Sequence, residues 1–228
     1  MVTITARRVS ICLTIVTVAL TRLHVVAANH HWPTHMFDVG AESSIPTWYS
    51  SFVLLVAAML IAIIAFAQGR KPGTYWWHWV LLSVWFLYMS IDEVAAIHER
   101  WADFVSLPDA SGAFSFEWVM VGVPFVIVMG LAYVRFVFHL PPPARLLVIA
   151  AGAIYLGGAL GMEMLGAREL DAHGGSYRYF LLNTTEEFME MFGVVVLIHA
   201  LLSYIGKELK GVSVAVGEKQ LCIGTAQR

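Results

Sequence analysis

Six apolar runs, each close to twenty residues, restrict what this chain can fold into: Val9–Ala28, Trp48–Ala67, Tyr75–Ile97, Trp118–Phe138, Leu146–Leu165 and Phe188–Ile205. A helix needs ~20 residues to cross ~30 Å of hydrocarbon. The chain has 228 residues, 59% hydrophobic and 13% charged, with a mean hydropathy of +0.72. Soluble domains carry about 45–50% apolar and about 25% charged residues. The expected fold is therefore an all-α polytopic transmembrane bundle of six helices, or five if the first run is a cleaved signal. Residues 1–28 form that first helix or signal segment, 29–206 the membrane bundle and 207–228 a flexible tail.

The basic residues orient the chain through the positive-inside rule. With alternating spans, Arg7, Arg8, Arg70, Lys71, Arg135, Arg145, Lys207, Lys210, Lys219 and Arg228 share one side with only two acids, Glu208 and Glu218. Four arginines and fourteen acids occupy the other side. Both termini are expected in the cytoplasm and the acidic face outside. The first run admits two readings. Arg7 and Arg8, the apolar core and Val26-Ala27-Ala28 resemble a secretory signal, and Arg22 and His24 make a poor span; an uncleaved helix is the other reading. Cys12 and Cys222 lie near opposite ends, which argues against a disulfide framework or a thiolate metal site. No basic patch or phosphate-binding glycine loop points to nucleic acid or nucleotides.

The third run carries its apolar character into Ser90-Ile91-Asp92-Glu93 and, with no Gly or Pro in between, into His98-Glu99. Charges at membrane depth cost roughly 2.5–3.5 kcal/mol each on insertion scales, so they mark function by default. If the helix continues, Asp92 and Glu99 lie about 20° apart, with Glu93 and His98 to either side. The sixth run is expected to start at Asn183. There Thr184 with Glu187, or Asn183 with Glu186, reads as a capping box, while Glu190 sits a turn deeper and lacks that explanation. Glu163, between Met162 and Met164, is the acid of the fifth run. Ala153, Gly157 and Gly161 form a small-residue ridge for close helix packing.

Other histidines carry less. His31 and His35 are four apart in the loop 29–42, but Pro33 between them argues against a helical metal pair. His78 belongs to an interfacial aromatic belt with Trp76, Trp77 and Trp79. His199 reads as a packing histidine.

Three segments occur together: Ile45-Pro46-Thr47-Trp48-Tyr49-Ser50-Ser51, the Ser90-x-Asp92-Glu93-x4-His98-Glu99 run, and Glu186-Glu187-x-x-Glu190-x-x-Gly193. The combination resembles a group of uncharacterised bacterial polytopic membrane proteins. The resemblance implies a bacterial inner-membrane setting and brings no activity with it.

The leading functional expectation is a divalent-metal site with Asp92, His98, Glu99 and Glu190 as ligands, Glu93, Glu186 and Glu187 behind them, and Glu163 as catalytic base. Such a site suits a hydrolase or oxidoreductase acting on a lipid or a periplasmic small molecule. The Glu-x-x-His spacing of dinuclear carboxylate bundles is missing, since Glu93 and His98 are five apart. A non-catalytic scaffold or sensor, its acids paired with Arg100, Arg168 and Arg178, is the second expectation. A cation- or proton-coupled carrier is the third. Asp92, Glu163 and Glu190 are expected to meet in one cavity. The oligomeric state stays open.

Overall fold

The computed structural model of the protein describes residues 5–30, 34–69, 73–100, 111–209, 212–217 and 220–225. Six long helices build it: α1 (Ala6–His30), α2 (Ile45–Gln68), α3 (Trp76–Ala95), α4 (Trp118–His139), α5 (Pro142–His173) and α6 (Tyr177–Glu208). All except α3 are long and apolar enough to cross a membrane. Helix α3 is twenty residues long, and its tryptophans, tyrosine, histidine and terminal Asp92-Glu93 lower its hydropathy. A short antiparallel hairpin, Val212–Gly217 paired with Gln220–Thr225, follows α6 in the segment expected to be a flexible tail.

Helix α2, apolar along its length, packs between α3 and α6 and turns Trp48, Phe52, Met59 and Phe66 outward. Val53, Ala57, Ile61 and Ile64 are fully buried between α3 and α6. Ser44 caps it, accepting the Thr47 N–H at 3.2 Å, and Pro46 occupies the first turn, where its missing donor costs nothing. Paired serines hold α3 against it. Ser51 Oγ donates to the Ser90 carbonyl at 2.7 Å, and Ser90 Oγ returns a bond to the Ser51 carbonyl at 2.8 Å. Small polar residues of this kind join helices closely where water is absent.

Helix α1 packs along α6 and reaches α2. The Tyr49 hydroxyl donates to the Leu13 carbonyl at 2.8 Å and lies 3.1 Å from the buried Thr17 hydroxyl. His199 is a packing histidine: its Nδ1 lies 2.9 Å from Ser10 Oγ at the far end of the same contact. Tyr49→Phe is expected to lower the unfolding free energy by about 1 kcal/mol, the usual net worth of such a bond. Thermal unfolding in detergent, beside an unchanged Tyr177→Phe control at an exposed position, measures it.

Two helix boundaries differ from the sequence expectation, and both differences reshape the acidic end. Helix α3 does not run on through His98-Glu99; it stops at Ala95. Ala96 turns left-handed (φ 44°), its N–H bonded to the Asp92 carbonyl at 2.7 Å, and a 3-10 turn, His98–Arg100, follows. Helix α6 begins at Tyr177, not near Asn183. Its cap is Ser176, whose Oγ accepts the Tyr179 N–H at 3.1 Å, and positive-φ Gly174 ends α5 just before it. The Asn183–Glu187 stretch is therefore helix interior, and the capping-box explanation of Glu186 and Glu187 falls away. Thr184 instead returns its hydroxyl to the Phe180 carbonyl at 2.7 Å.

Helix α5 starts at Pro142, and between Leu156 and Glu163 it widens into a π-helical segment, Gly157–Met162. A π turn holds an extra residue and rotates the downstream part of the helix by about 100°. The small-residue ridge moves accordingly. Gly161 has open space and Ala153 is exposed, whereas Gly158 lies against α6. A Cβ on Gly158 would fall 2.9 Å from the Glu186 carbonyl oxygen, and one on Gly193 would fall 2.8 Å from the Tyr155 nitrogen. Two glycines, one per helix, thus let α5 and α6 touch backbone to backbone.

Candidate functional site

The turn after α3 brings His98 onto Asp92. A continuous helix would have aimed these side chains apart; the left-handed Ala96 folds the chain back. Asp92 Oδ1 accepts the His98 N–H at 2.8 Å, and Oδ2 lies 2.7 Å from His98 Nδ1. Tyr88 donates to the same carboxylate at 3.4 Å. Asp92 thereby terminates the helix and orients an imidazole in one motion. Asp92→Ala is expected to cost about 1–3 kcal/mol, because it strands a backbone donor as well as a ring nitrogen. Asp92→Asn, which keeps one acceptor, should cost less; comparative unfolding of the two variants checks the order.

From this pair a line of contacts crosses the bundle. The His98 ring stands edge-on to Trp118 at the start of α4, with centroids 5.0 Å apart. Trp118 Nε1 donates to Glu163 Oε1 of α5 at 3.2 Å. The Glu163 carboxyl lies beside that of Glu186 on α6. Glu186 is 93% buried (7% exposed). Deeper on α6, Glu190 accepts the Tyr155 hydroxyl of α5, and across from it Glu93 of α3 accepts the Ser50 hydroxyl of α2. Glu190 stands thirteen residues into α6, about 20 Å from its start.

All of these groups except Ser50 line one cavity of about 870 Å³ between α3, α4, α5 and α6. Its acidic end carries Asp92, Glu93, Glu163, Glu186, Glu187 and Glu190, joined by Glu42 and Glu117 at the rim. No lysine or arginine lines it among the described residues. The opposite end is apolar and aromatic, with Leu82, Phe86, Phe125, Met129, Phe136 and Val148. The loop after α1 covers part of the acidic end through Val39, Gly40 and Ala41. His24, inside α1, holds that loop: its Nδ1 accepts the Val39 N–H at 3.3 Å, and Asp38 lies 3.4 Å away.

Asp92, Glu163 and Glu190 thus share the cavity, as do Glu93, Glu186, Glu187 and His98. The side chain of Glu99 lies outside the described residues, as does that of His31. Asp92 and His98 face each other across one corner, with Glu190 engaged by Tyr155. Among the described residues, no three histidine, cysteine, aspartate or glutamate side chains are grouped to hold a metal ion. The preformed ligand set expected from Asp92, His98 and Glu190 is not supported.

The arginine pairing expected of a scaffold falls elsewhere. Arg178 and His173 engage Glu169, which also accepts the Ser176 hydroxyl and stands outside the cavity wall.

Sequence reasoning missed Tyr155 and Trp118, which read as ordinary members of apolar runs, and Ser50, which lay inside a recognised segment without a role. It also missed His24 as a loop anchor. No signal marks Tyr155 in isolation; Trp118, one residue after Glu117 at a run's start, could have been placed at the same end as Glu163.

The model of one family, a domain of unknown function (DUF8692), matches residues 9–205. No curated protein and no solved structure matches the chain.

Proposed function

We propose that this chain, which belongs to the DUF8692 family, is a membrane protein that binds a positively charged ligand at the carboxylate end of its central cavity. The observation that carries this reading is the lining itself: eight carboxyl side chains face one space that no lysine or arginine shares among the described residues. Carboxylates crowded at membrane depth are costly unless a positive partner compensates them. A cation supplies that compensation, and the aromatic rings around the space add their negative faces to its attraction. The charge asymmetry of the chain supports an inner-membrane protein with the acidic end outward and both termini cytoplasmic, and the packing of α1 on α6 and α2 supports its retention.

Purified protein titrated with a panel of amines and divalent ions tests the reading. Saturable binding of some cation, weakened in Glu187→Gln, is expected; indifference to the whole panel overturns it. Divalent ions stay in the panel because the carboxylates suit hard cations, with rearrangement of their side chains on binding.

A second reading, an enzyme, draws on the Asp92–His98 pair. A carboxylate holding Nδ1 fixes the imidazole's tautomer and orientation, as a general base requires. Turnover of a bound amine that His98→Gln abolishes, while binding persists, would establish it.

The topology has its own check. A fluorescent protein fused after Arg228 is expected to fluoresce, and intact mass should show Ala6–His30 still attached. An active periplasmic phosphatase at the same fusion point contradicts the orientation.

A further inference from the structure

We infer that the ligand of this cavity is an amphiphilic amine: one ammonium head at the carboxylate end and an apolar chain along the aromatic end. This rests on the cation reading above and narrows it to a chemical class. The support is the division of the cavity into two unlike halves along the helix axes. Its carboxylates belong to the end marked by Asp92 on α3 and Glu186 to Glu190 on α6. From there the lining continues to Leu82 on α3 and Leu197 on α6, ten and seven residues further, with Phe125, Val126 and Met129 of α4 beside them. At 1.5 Å per residue this apolar reach is about 10–15 Å. That length approaches one leaflet of a hydrocarbon layer ~30 Å thick.

Along the reach the walls offer no countercharge among the described residues. Phe86, Phe125, Val126, Met129 and Val148 line it, with Trp85 and Phe125 meeting at 4.5 Å between ring centroids. A polyamine extended there would set its second and third charges against apolar side chains. A bare metal ion would leave the greater part of the space unfilled, although interiors of this kind close up or take an apolar guest. The volume, about 870 Å³, falls within the range of cavities that enclose whole organic ligands. An ammonium head with one hydrocarbon tail satisfies both halves.

The full chain in lipid nanodiscs provides the test, with dodecylamine, dodecanol, butylamine and manganese(II) as probes and melting temperature as the readout. Dodecylamine near a hundred times its Kd should raise the melting temperature by on the order of 5 °C. Dodecanol and butylamine at equal concentration should not, and the rise should fall to about half or less in Glu190→Gln. Val126→Trp, which fills the apolar half and leaves the carboxylates alone, should remove it, so the result does not hang on one variant's folding. Butylamine or manganese(II) matching dodecylamine would overturn the amphiphile and leave the cation reading standing. Equal effects of dodecanol and dodecylamine, or none from any probe, would overturn both.

Discussion

Gly193→Val should strongly destabilise the bundle. The glycine Cα faces the backbone of Tyr155, and even a single Cβ would approach Tyr155 N, Cα and Cβ to 2.8, 3.0 and 2.9 Å. None of those atoms is the free end of a flexible side chain, so α5 and α6 themselves must separate. Overpacking usually costs 1–3 kcal/mol, and a branched side chain against backbone belongs at or above the top of that range, at least about 3 kcal/mol. Total stabilities are only about 5–15 kcal/mol. Gly193→Ala should cost less and still shift Tyr155 away from Glu190. Gly206→Ala is the matched control: the same helix, nothing within 4 Å, and a propensity gain of about 1 kcal/mol. Melting temperature and monodispersity in detergent are the measurements. A Gly193→Val protein as stable as the parent would mean that the close contact of α5 and α6 does not exist.

Glu190→Gln is expected to do two things of opposite sign. The amide keeps an acceptor for the Tyr155 hydroxyl and nearly the same volume, so the substitution removes charge and little else. Without ligand, the variant should be more stable than the parent by on the order of 1 kcal/mol, because one of several facing carboxylates is gone. Affinity for the cation should fall about tenfold to a hundredfold, the worth of one charge-assisted contact at 1.5–3 kcal/mol. Unfolding and binding titrations on one preparation read both. A functional carboxylate and a structural one part company here. If Glu190 served only to hold α5 by way of Tyr155, neutralising it would leave stability unchanged or lower and would have no effect on binding.

Much of the bundle was legible in the sequence because hydrocarbon thickness sets the length of each run. The six runs map onto six helices, and Pro46 stands in the first turn of α2. The ends that matter for the site were illegible for a local reason. Ala95-Ala96 contains no helix breaker; the break comes from Asp92, whose side chain binds the N–H and the ring of a residue six positions on. No periodicity reports such a bond. At the start of α6 the error ran the other way. Asn183-Thr184-Thr185 has the chemistry of a cap and lies inside the helix, while the working cap, Ser176, precedes a turn of aromatic residues that reads as interfacial.

The carboxylates were legible as a set for a sturdier reason: an acid at membrane depth stands out whatever the helix boundaries are. Their partners did not stand out. Ser50, Tyr155 and Trp118 are ordinary components of apolar helices until the fold sets them opposite Glu93, Glu190 and Glu163.

The π-helical segment of α5 makes the geometry sensitive to the loss of a single residue. Deleting one glycine from Gly157-Gly158 would heal that stretch into a plain spiral and swing everything beyond it by about 100°. Glu163 would leave Glu186 and Trp118 and turn toward another neighbour, with its identity and the chain's composition otherwise intact. In this helix the residue count is itself a coordinate of the site, and a chain one residue shorter would hold the same acids aimed at different targets.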